Sequence, residues 1–369
     1  MRRRTLALAA VLMLGAGCAA KQPLRIGFLG GISGRMSDLG IGGRNGAQLA
    51  IDDINAAGGV LGRTLELVTR DDEQNIDTAP QRLGELYDSG VAFVVGPMTS
   101  SVAAAVLSLA NERAIPLISP LAGANSLGGR ADAFFRVVSD SARSAQQQAA
   151  ALLGRGVRRL VTVADTKNKV FTQNWTTAAA ERFSAGGGTL ALALEVEAAP
   201  GLSFAALAQR IVDARPDLVV VAFSATDSVV LVQQLRRLAP TVLIALSVWA
   251  GTEELPQLGG RSLDGVVVSQ FFDRFNTTPR YLAFVERFQK RFGIAPGYPV
   301  TNAYDAMQLG VLALRAAGTD AAGPLMAALG AIREQDGLQR KLTFDEFGDC
   351  LALTYLTEIR DGRYVAMTA

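Results

Sequence analysis

The stretch Val91–Ala110, VAFVVGPMTSSVAAAVLSLA, runs an apolar segment, a Gly-Pro break and a hydroxyl-rich helix start together without a spare residue. Phe93, Val94 and Val95 read as a strand buried on both faces, ended by Gly96-Pro97. Thr99, Ser100 and Ser101 are residue types that cap helices, and the helix they open continues through Val102, Val106 and Leu109. The first turn of a helix has unpaired N–H groups and positive dipole character, so this start can hold a carboxylate or a phosphate. The stretch taken alone also reads as an ordinary cap.

Outward from it, strand and helix alternate, the pattern of parallel sheets with helices on both faces. Before it come a strand at Leu24–Leu29, a glycine-rich loop GGISGRMSDLGIGG, a helix from about Asn45 stopped by Gly58-Gly59, a strand at Leu65–Thr69 and a helix at Thr78–Asp88. After it come strands at Ile115–Ile118 and Phe134–Val137. A second series follows Asp140. Its helices are Ala142–Leu153, Thr172–Ser184, Phe204–Ala214 and Ser228–Leu238, and its strands Leu160–Ala164, Thr189–Val196, Leu218–Ala222, Val242–Leu246 and Gly265–Ser269. Helices at Arg280–Phe292 and Ala303–Ala316 precede a closing β stretch, Lys341–Phe344 and Leu351–Ile359, with Gly362 in a hairpin turn. The fold class is therefore α/β, in two units of similar build.

A chain of 369 residues is long enough for two ordinary domains. Arg2–Arg4 and the apolar run Thr5–Gly17 read as a secretion signal too short to span a membrane. The run ends in LGAGCAA, which resembles the lipobox at which bacterial lipoproteins are cut and acylated, here on Cys18. The leucine that usually stands three residues before the cysteine is displaced to Leu14. A plain cleaved signal is the other reading. Without Arg2, Arg3 and Arg4, 33 basic side chains face 34 acidic ones, a net charge of −1. No basic stripe offers a nucleic acid a footing. With Cys18 acylated, Cys350 has no disulfide partner and reads as a small half-buried filler beside the last strand.

The chain has no histidine, which removes Ser-His-Asp and Cys-His catalysis and histidine metal sites together. Gly27, Gly30, Gly31 and Gly34 do not fit a dinucleotide fingerprint, and no phosphate-binding G-x-x-x-x-G-K-[ST] loop or nucleophile elbow occurs. The acid pairs Asp52-Asp53, Asp71-Asp72 and Glu253-Glu254 are adjacent on single elements, so their carboxyls point apart and read as surface or capping groups. No enzymatic activity, metal or cofactor is expected.

The ordered set RIGFLGGISG, GAQLAIDDINAAGGVLGRTLELVTRDDEQN, VVGPMTSS, AIPLISPLA and LTFDEFGD resembles the extracytoplasmic solute-binding proteins of branched-chain amino acid and amide ABC importers, over nearly the whole mature chain. The resemblance implies the type I periplasmic binding fold: two Rossmann-like lobes joined by three crossovers, with a ligand trapped between them. The crossovers would fall near Ser139–Arg143, Asp273–Thr277 and Gly337–Gln339. An N-terminal lobe of residues 24–140 plus 276–337 and a C-terminal lobe of 141–275 plus 338–369 would follow a signal peptide at 1–17.

In that family a serine after the third strand holds the ligand carboxylate; Ser100 stands there, with Ser101 beside it. The next loop normally supplies a Thr or Ser. Here Pro120-Leu121-Ala122 is followed by Gly123, which keeps the N–H and loses the hydroxyl, and Asn125 or Ser126 is the substitute. The first-lobe aromatic is absent near Leu39. In the second lobe Phe171 is the aromatic lid candidate and Ser224 a further contact. Trp249 stands where the family carries the acid that pairs with an α-ammonium, so Asp227 or Asp165 would have to supply that charge. Core packing is the other reading of Phe171 and Trp249, and an N-cap to Val229 or Val230 that of Asp227. Tyr298 completes the candidate set. The resemblance implies a monomeric, lipid-anchored protein of the periplasm or cell envelope that delivers a small carboxylate-bearing solute to an ABC permease. The rival class is a ligand-sensing or partner-regulating envelope lipoprotein of the same fold.

Overall fold

The computed structural model describes residues 21–34 and 36–367, so the expected signal segment and Cys18 lie outside the described residues. The first series of elements is β1 (Leu24–Leu29), α1 (Asp38–Ala56), β2 (Leu65–Arg70), α2 (Ala79–Asp88), β3 (Val94–Val95), α3 (Ser100–Arg113), β4 (Leu117–Ser119) and β5 (Phe134–Arg136). The second is α4 (Ser141–Leu153), β6 (Arg159–Asp165), α5 (Lys169–Ala185), β7 (Thr189–Val196), α6 (Phe204–Asp213), β8 (Leu218–Ala222), α7 (Ala225–Leu238), β9 (Leu243–Leu246), α8 (Glu254–Gly259) and β10 (Val267–Gln270). The chain closes with α9 (Pro279–Phe292), α10 (Tyr298–Ala317), α11 (Ala322–Ala331), β11 (Glu334–Asp336), β12 (Lys341–Thr343), β13 (Tyr355–Arg360) and β14 (Arg363–Ala366). No helix among the described residues is long and apolar enough to cross a membrane.

The two sheets repeat one topology. The first runs β2-β1-β3-β4-β5, all parallel. The second runs β7-β6-β8-β9-β10 in the same order of appearance and adds antiparallel β13 and β14 on its far edge. In both, the strand order reverses between the first and third strands of the series. Open α/β sheets bind ligands at such switch points, outside the carboxyl ends of the strands. The carboxyl ends of β1 and β3 lead into Gly30 and Gly96, and those of β6 and β8 into Thr166 and Phe223. Ile26, Phe28, Val94 and Ile118 are buried as two-sided strands require. Burying each such side chain contributes about 1.5–3 kcal/mol.

Helix α1 begins at Asp38, a full two turns before the expected Asn45. The glycines that read as a loop are a packing face. A Cβ on Gly40 would stand 2.0 Å from the Gly31 carbonyl oxygen, one on Gly43 2.4 Å from Met98, and one on Gly46 2.2 Å from the Val300 oxygen. Spaced three apart, they line one side of the helix, where α10 and the first sheet come closer than any side chain allows. Helix α10 is buried almost all round because it is wedged between α1, the first sheet and α11. Short helices α8 and α11 and strand β11 carry no sequence signal strong enough to have been expected. The closing hairpin turns at Asp361 and Gly362, both with positive φ (49° and 68°), the two-residue type that matches strand twist.

The chain passes from the first sheet to the second after β5 and leaves the second sheet after β10. At Gly337–Gln339 it instead turns back: Gly337 N–H donates to the Arg340 carbonyl at 2.9 Å, closing the β11–β12 hairpin. Asp349 then bridges to Arg136 on β5, and the chain first pairs with the second sheet at Tyr355. We therefore place the return at Leu351–Thr354.

Candidate functional site

At the first switch point, β3 ends on Gly96, whose φ of +126° brings its α-carbon so close to β1 that a Cβ would lie 2.2 Å from the Leu29 oxygen. The chain then turns through Pro97 and Met98 into α3. Thr99 occupies the N-cap in extended conformation, but its hydroxyl makes no capping bond. Ser100 is buried, and its Oγ accepts a hydrogen bond from Ala124 N–H at 3.2 Å. Ser101 faces the other half of the molecule: its N–H donates to Asn168 Oδ1 at 3.2 Å, and its Oγ accepts from Val170 N–H at 3.1 Å. The helix start therefore bridges the two sheet layers, with Asn168 taking up one of its free donors.

A small cavity of about 20 Å³, room for about one water, lies at this start. Six expected residues line it: Leu39, Ser100, Leu121 and Tyr298 from elements around the first sheet, and Phe171 and Trp249 from elements around the second. Five others line it that were not singled out from the sequence: Met98, Thr99, Asn168, Val248 and Phe271. Of these only Thr99, in the hydroxyl run before α3, carried a signal. The rest are apolar or amide side chains on separate elements that converge only in the folded chain.

The aromatic residues pack on one another as well as on the cavity. Phe171 meets Trp249 edge-on at 6.4 Å and Trp175 at 5.7 Å, and Phe271 meets Tyr298 at 6.4 Å. The Tyr298 hydroxyl donates to the Trp249 carbonyl at 3.3 Å, a second tie between the two halves. Core packing and cavity lining, alternatives for Phe171 and Trp249 in the sequence, hold together.

Seven expected residues stand elsewhere than on the cavity wall. Ser101 lies just behind it, on the bonds to Asn168 and Val170. Gly123 belongs to the first passage: its carbonyl accepts from Ser141 N–H at 2.7 Å, and a Cβ there would press 3.0 Å from the Ser139 oxygen. Asn125 is committed to the start of α4, donating to Asp140 Oδ2 at 3.0 Å, while Ser126 is exposed. Ser224 and Asp227 sit at the second switch point. Asp227 is not the N-cap of a helix starting at Ser228. The helix starts a turn earlier with Ser224 as cap, its Oγ accepting from Asp227 N–H at 3.3 Å and donating to Asp227 Oδ2 at 2.9 Å. The segment Ser224-Ala225-Thr226-Asp227 holds several cap-forming residues, and the first of them closes the helix end.

Asp165 ends β6 beside this pair. Its Oδ1 accepts from Lys167 N–H at 3.0 Å and from Ala198 N–H at 3.2 Å. Burial, followed by the neighbouring Asp227 charge, holds its carboxyl above the usual carboxylate range despite those bonds. Near the second passage, Arg274 stacks 3.8 Å above the Tyr364 ring and pairs with Glu253, a partly buried ionic contact that the sequence did not suggest. Cys350 is the only cysteine among the described residues. It is buried more deeply than expected, and burial pushes its thiol up to about 12.

The family model described as periplasmic binding protein matches residues 23–363. The Leu/Ile/Val-binding protein BraC3 of Rhizobium johnstonii is 26% identical over 372 residues, covering 99% of this chain and 100% of its own. Two solved structures share the architecture. The branched-chain amino acid transporter substrate binding protein LivJ of Streptococcus pneumoniae, in complex with isoleucine, superposes with a TM-score of 0.85 at 22% identity, over 93% of this chain and 98% of that one. A solute binding protein of an ABC transporter from R. palustris, in complex with benzoate, gives 0.85 at 22% identity over 94% and 95%. The chain belongs to the periplasmic binding protein family and has the type I fold.

Proposed function

We propose that this protein captures a small carboxylate-bearing solute, an amino acid, amide or related acid, between its two lobes and delivers it to an ABC permease. The observation that carries the reading is Ser100 and Thr99 at the start of α3, lining a cavity with side chains from both halves. Hydroxyls at a helix start suit a carboxylate, and an apolar wall with few polar groups suits the rest of a small organic acid. The solutes of the relatives, isoleucine and benzoate, share a carboxylate and an apolar body. Ligand would bind the open form and favour closure through contacts that exist only when Asn168, Phe171 and Trp249 approach Ser100. The lobes are residues 24–140 plus 276–350 and 141–275 plus 355–369. The protein works as a monomer in the periplasm or cell envelope, held by lipid on Cys18.

A calorimetric screen of amino acids, amides and aromatic acids against the wild-type protein and Ser100→Ala tests the reading. Binding that the substitution weakens about tenfold or more is expected, for one lost hydrogen bond to a charged acceptor. A full screen without binding, and scattering that shows no closure with any solute, would overturn it in favour of the partner-regulating class. Release of a Cys18→Ser variant from the membrane fraction checks the anchor.

A further inference from the structure

The cavity wall is unequal in what it offers the two ends of an amino acid. Among the described residues no Asp, Glu, Lys or Arg lines it. Its polar side chains are Thr99, Ser100, Asn168 and Tyr298. Asn168 Oδ1 already accepts from Ser101 N–H, while its amide N–H groups are free to donate to an anion. Tyr298 donates its one proton to the Trp249 carbonyl. Asp165 has one carboxylate oxygen held by two backbone N–H groups, and Asp227 bonds to Ser224 at the start of α7. Neither acid reaches the wall, where Phe171 and Trp249 stand instead.

We infer that the cleft takes an apolar monocarboxylate without an α-ammonium group, of the short branched or aromatic acid class, in preference to the corresponding amino acid. The inference rests on the carboxylate-binding reading of the same site. An ammonium carried into this cavity would leave water and meet aromatic carbon with no carboxylate among the lining residues, whereas a hydrogen at the same carbon is matched by its surroundings. Discrimination then comes from desolvation of the wrong solute rather than from an added contact to the right one.

Pairs that differ only by the ammonium decide it: 4-methylpentanoate against leucine, and 3-phenylpropanoate against phenylalanine, titrated calorimetrically into the mature protein. At least one deaminated acid is expected to bind about 100-fold more tightly than its amino acid, the effect of one uncompensated buried charge. An amino acid that binds as tightly as its deaminated partner, or more tightly, overturns the inference and leaves the carboxylate reading standing. The matching alcohol, 4-methylpentanol, separates the two readings: binding equal to that of 4-methylpentanoate overturns the carboxylate reading and this inference with it, as does binding by none of the compounds. Trp249→Glu places a carboxylate at the wall and is expected to move the leucine to 4-methylpentanoate affinity ratio at least about tenfold toward leucine. No movement in a variant that circular dichroism finds folded overturns the inference. If that variant does not fold, the wild-type pairs decide alone.

Discussion

Arg136 is 3% exposed on β5, and its Nε stands 2.7 Å from Asp349 Oδ1, on the segment that returns from β12. Asp349 Oδ2 accepts from Gly129 N–H at 2.7 Å, and an Arg136 amino group donates to the Ala124 carbonyl at 3.0 Å. A buried pair of this kind adds little over a well-packed apolar substitute, but losing one partner strands the other charge away from water. Arg136→Met is therefore expected to cost about 3–5 kcal/mol in a urea titration, with Asp349 left unpaired. A double variant, Arg136→Met with Asp349→Leu, should recover part of that loss, and no recovery would show that the cost came from packing alone. Ala124, to whose carbonyl Arg136 donates, also gives its N–H to Ser100. The same loop segment thus ties the buried ion pair to the residue on which solute binding is argued. Ser100 was legible in the sequence because a Gly-Pro break followed by hydroxyls is a local signal. Arg136 and Asp349 lie 213 positions apart, and only the fold pairs them.

At the scale of elements, the strand and helix alternation came through because inner strands such as β3, β4, β8 and β10 are buried on both faces and helices such as α6 and α9 carry an apolar stripe. Helix α1 shows where that reasoning stops. Glycine lowers helix propensity by about 1 kcal/mol relative to alanine, so Gly40, Gly42, Gly43 and Gly46 argued for a loop. Close approach of α10 and the first sheet overrides the propensity. Two substitutions separate the effects. Gly84 lies inside α2 with nothing within 4 Å of where a Cβ would go, and Gly84→Ala is expected to stabilise the protein by about 0.5–1 kcal/mol. Gly46→Ala makes the same gain in propensity but drives a methyl to 2.2 Å from the Val300 oxygen, and is expected to destabilise by about 1–3 kcal/mol. Equal effects in thermal melts would mean that α1 and α10 do not pack as described. The start of α7 slipped for a related reason: Ser224 and Asp227 are both good caps, and which one the helix uses depends on how the chain leaves β8.

For the whole molecule, the cavity wall was partly legible because Ser100 sits at the first switch point, while Phe171 and Trp249 are large aromatics that follow the carboxyl ends of β6 and β9. Asn168, Val248 and Phe271 were not, since they follow three separate strands, β6, β9 and β10, whose ends meet only in the folded second half. That relation depends on the segments between the sheets, and one of them holds a buried acid. Asp305 on α10 accepts from Leu338 N–H at 2.9 Å, while its own carbonyl accepts from Gln335 at 2.9 Å, fastening the β11–β12 hairpin to the helix. Gln339 in that hairpin exchanges hydrogen bonds with Asp273 of the second passage at 3.0 and 2.8 Å. Burial pushes the Asp305 carboxyl up to about 7, against the pull of Leu338 N–H and the more distant charges of Arg280 and Arg340. In the unfolded chain it titrates near 3.9. Its folded pKa being the higher one, the native state holds a proton that the unfolded state releases. The stabilisation is thus complete below about pH 4 and lost as pH rises to about 7. Asp305→Asn keeps an acceptor for Leu338 N–H and cannot ionise. Relative to wild type, the variant is expected to gain on the order of 3 kcal/mol between pH 4.5 and pH 8, read as a widening difference in denaturation midpoint. A difference that stays constant across that range would mean that Asp305 is ionised in the folded protein throughout, and that the hairpin rests on a charged rather than a neutral carboxyl.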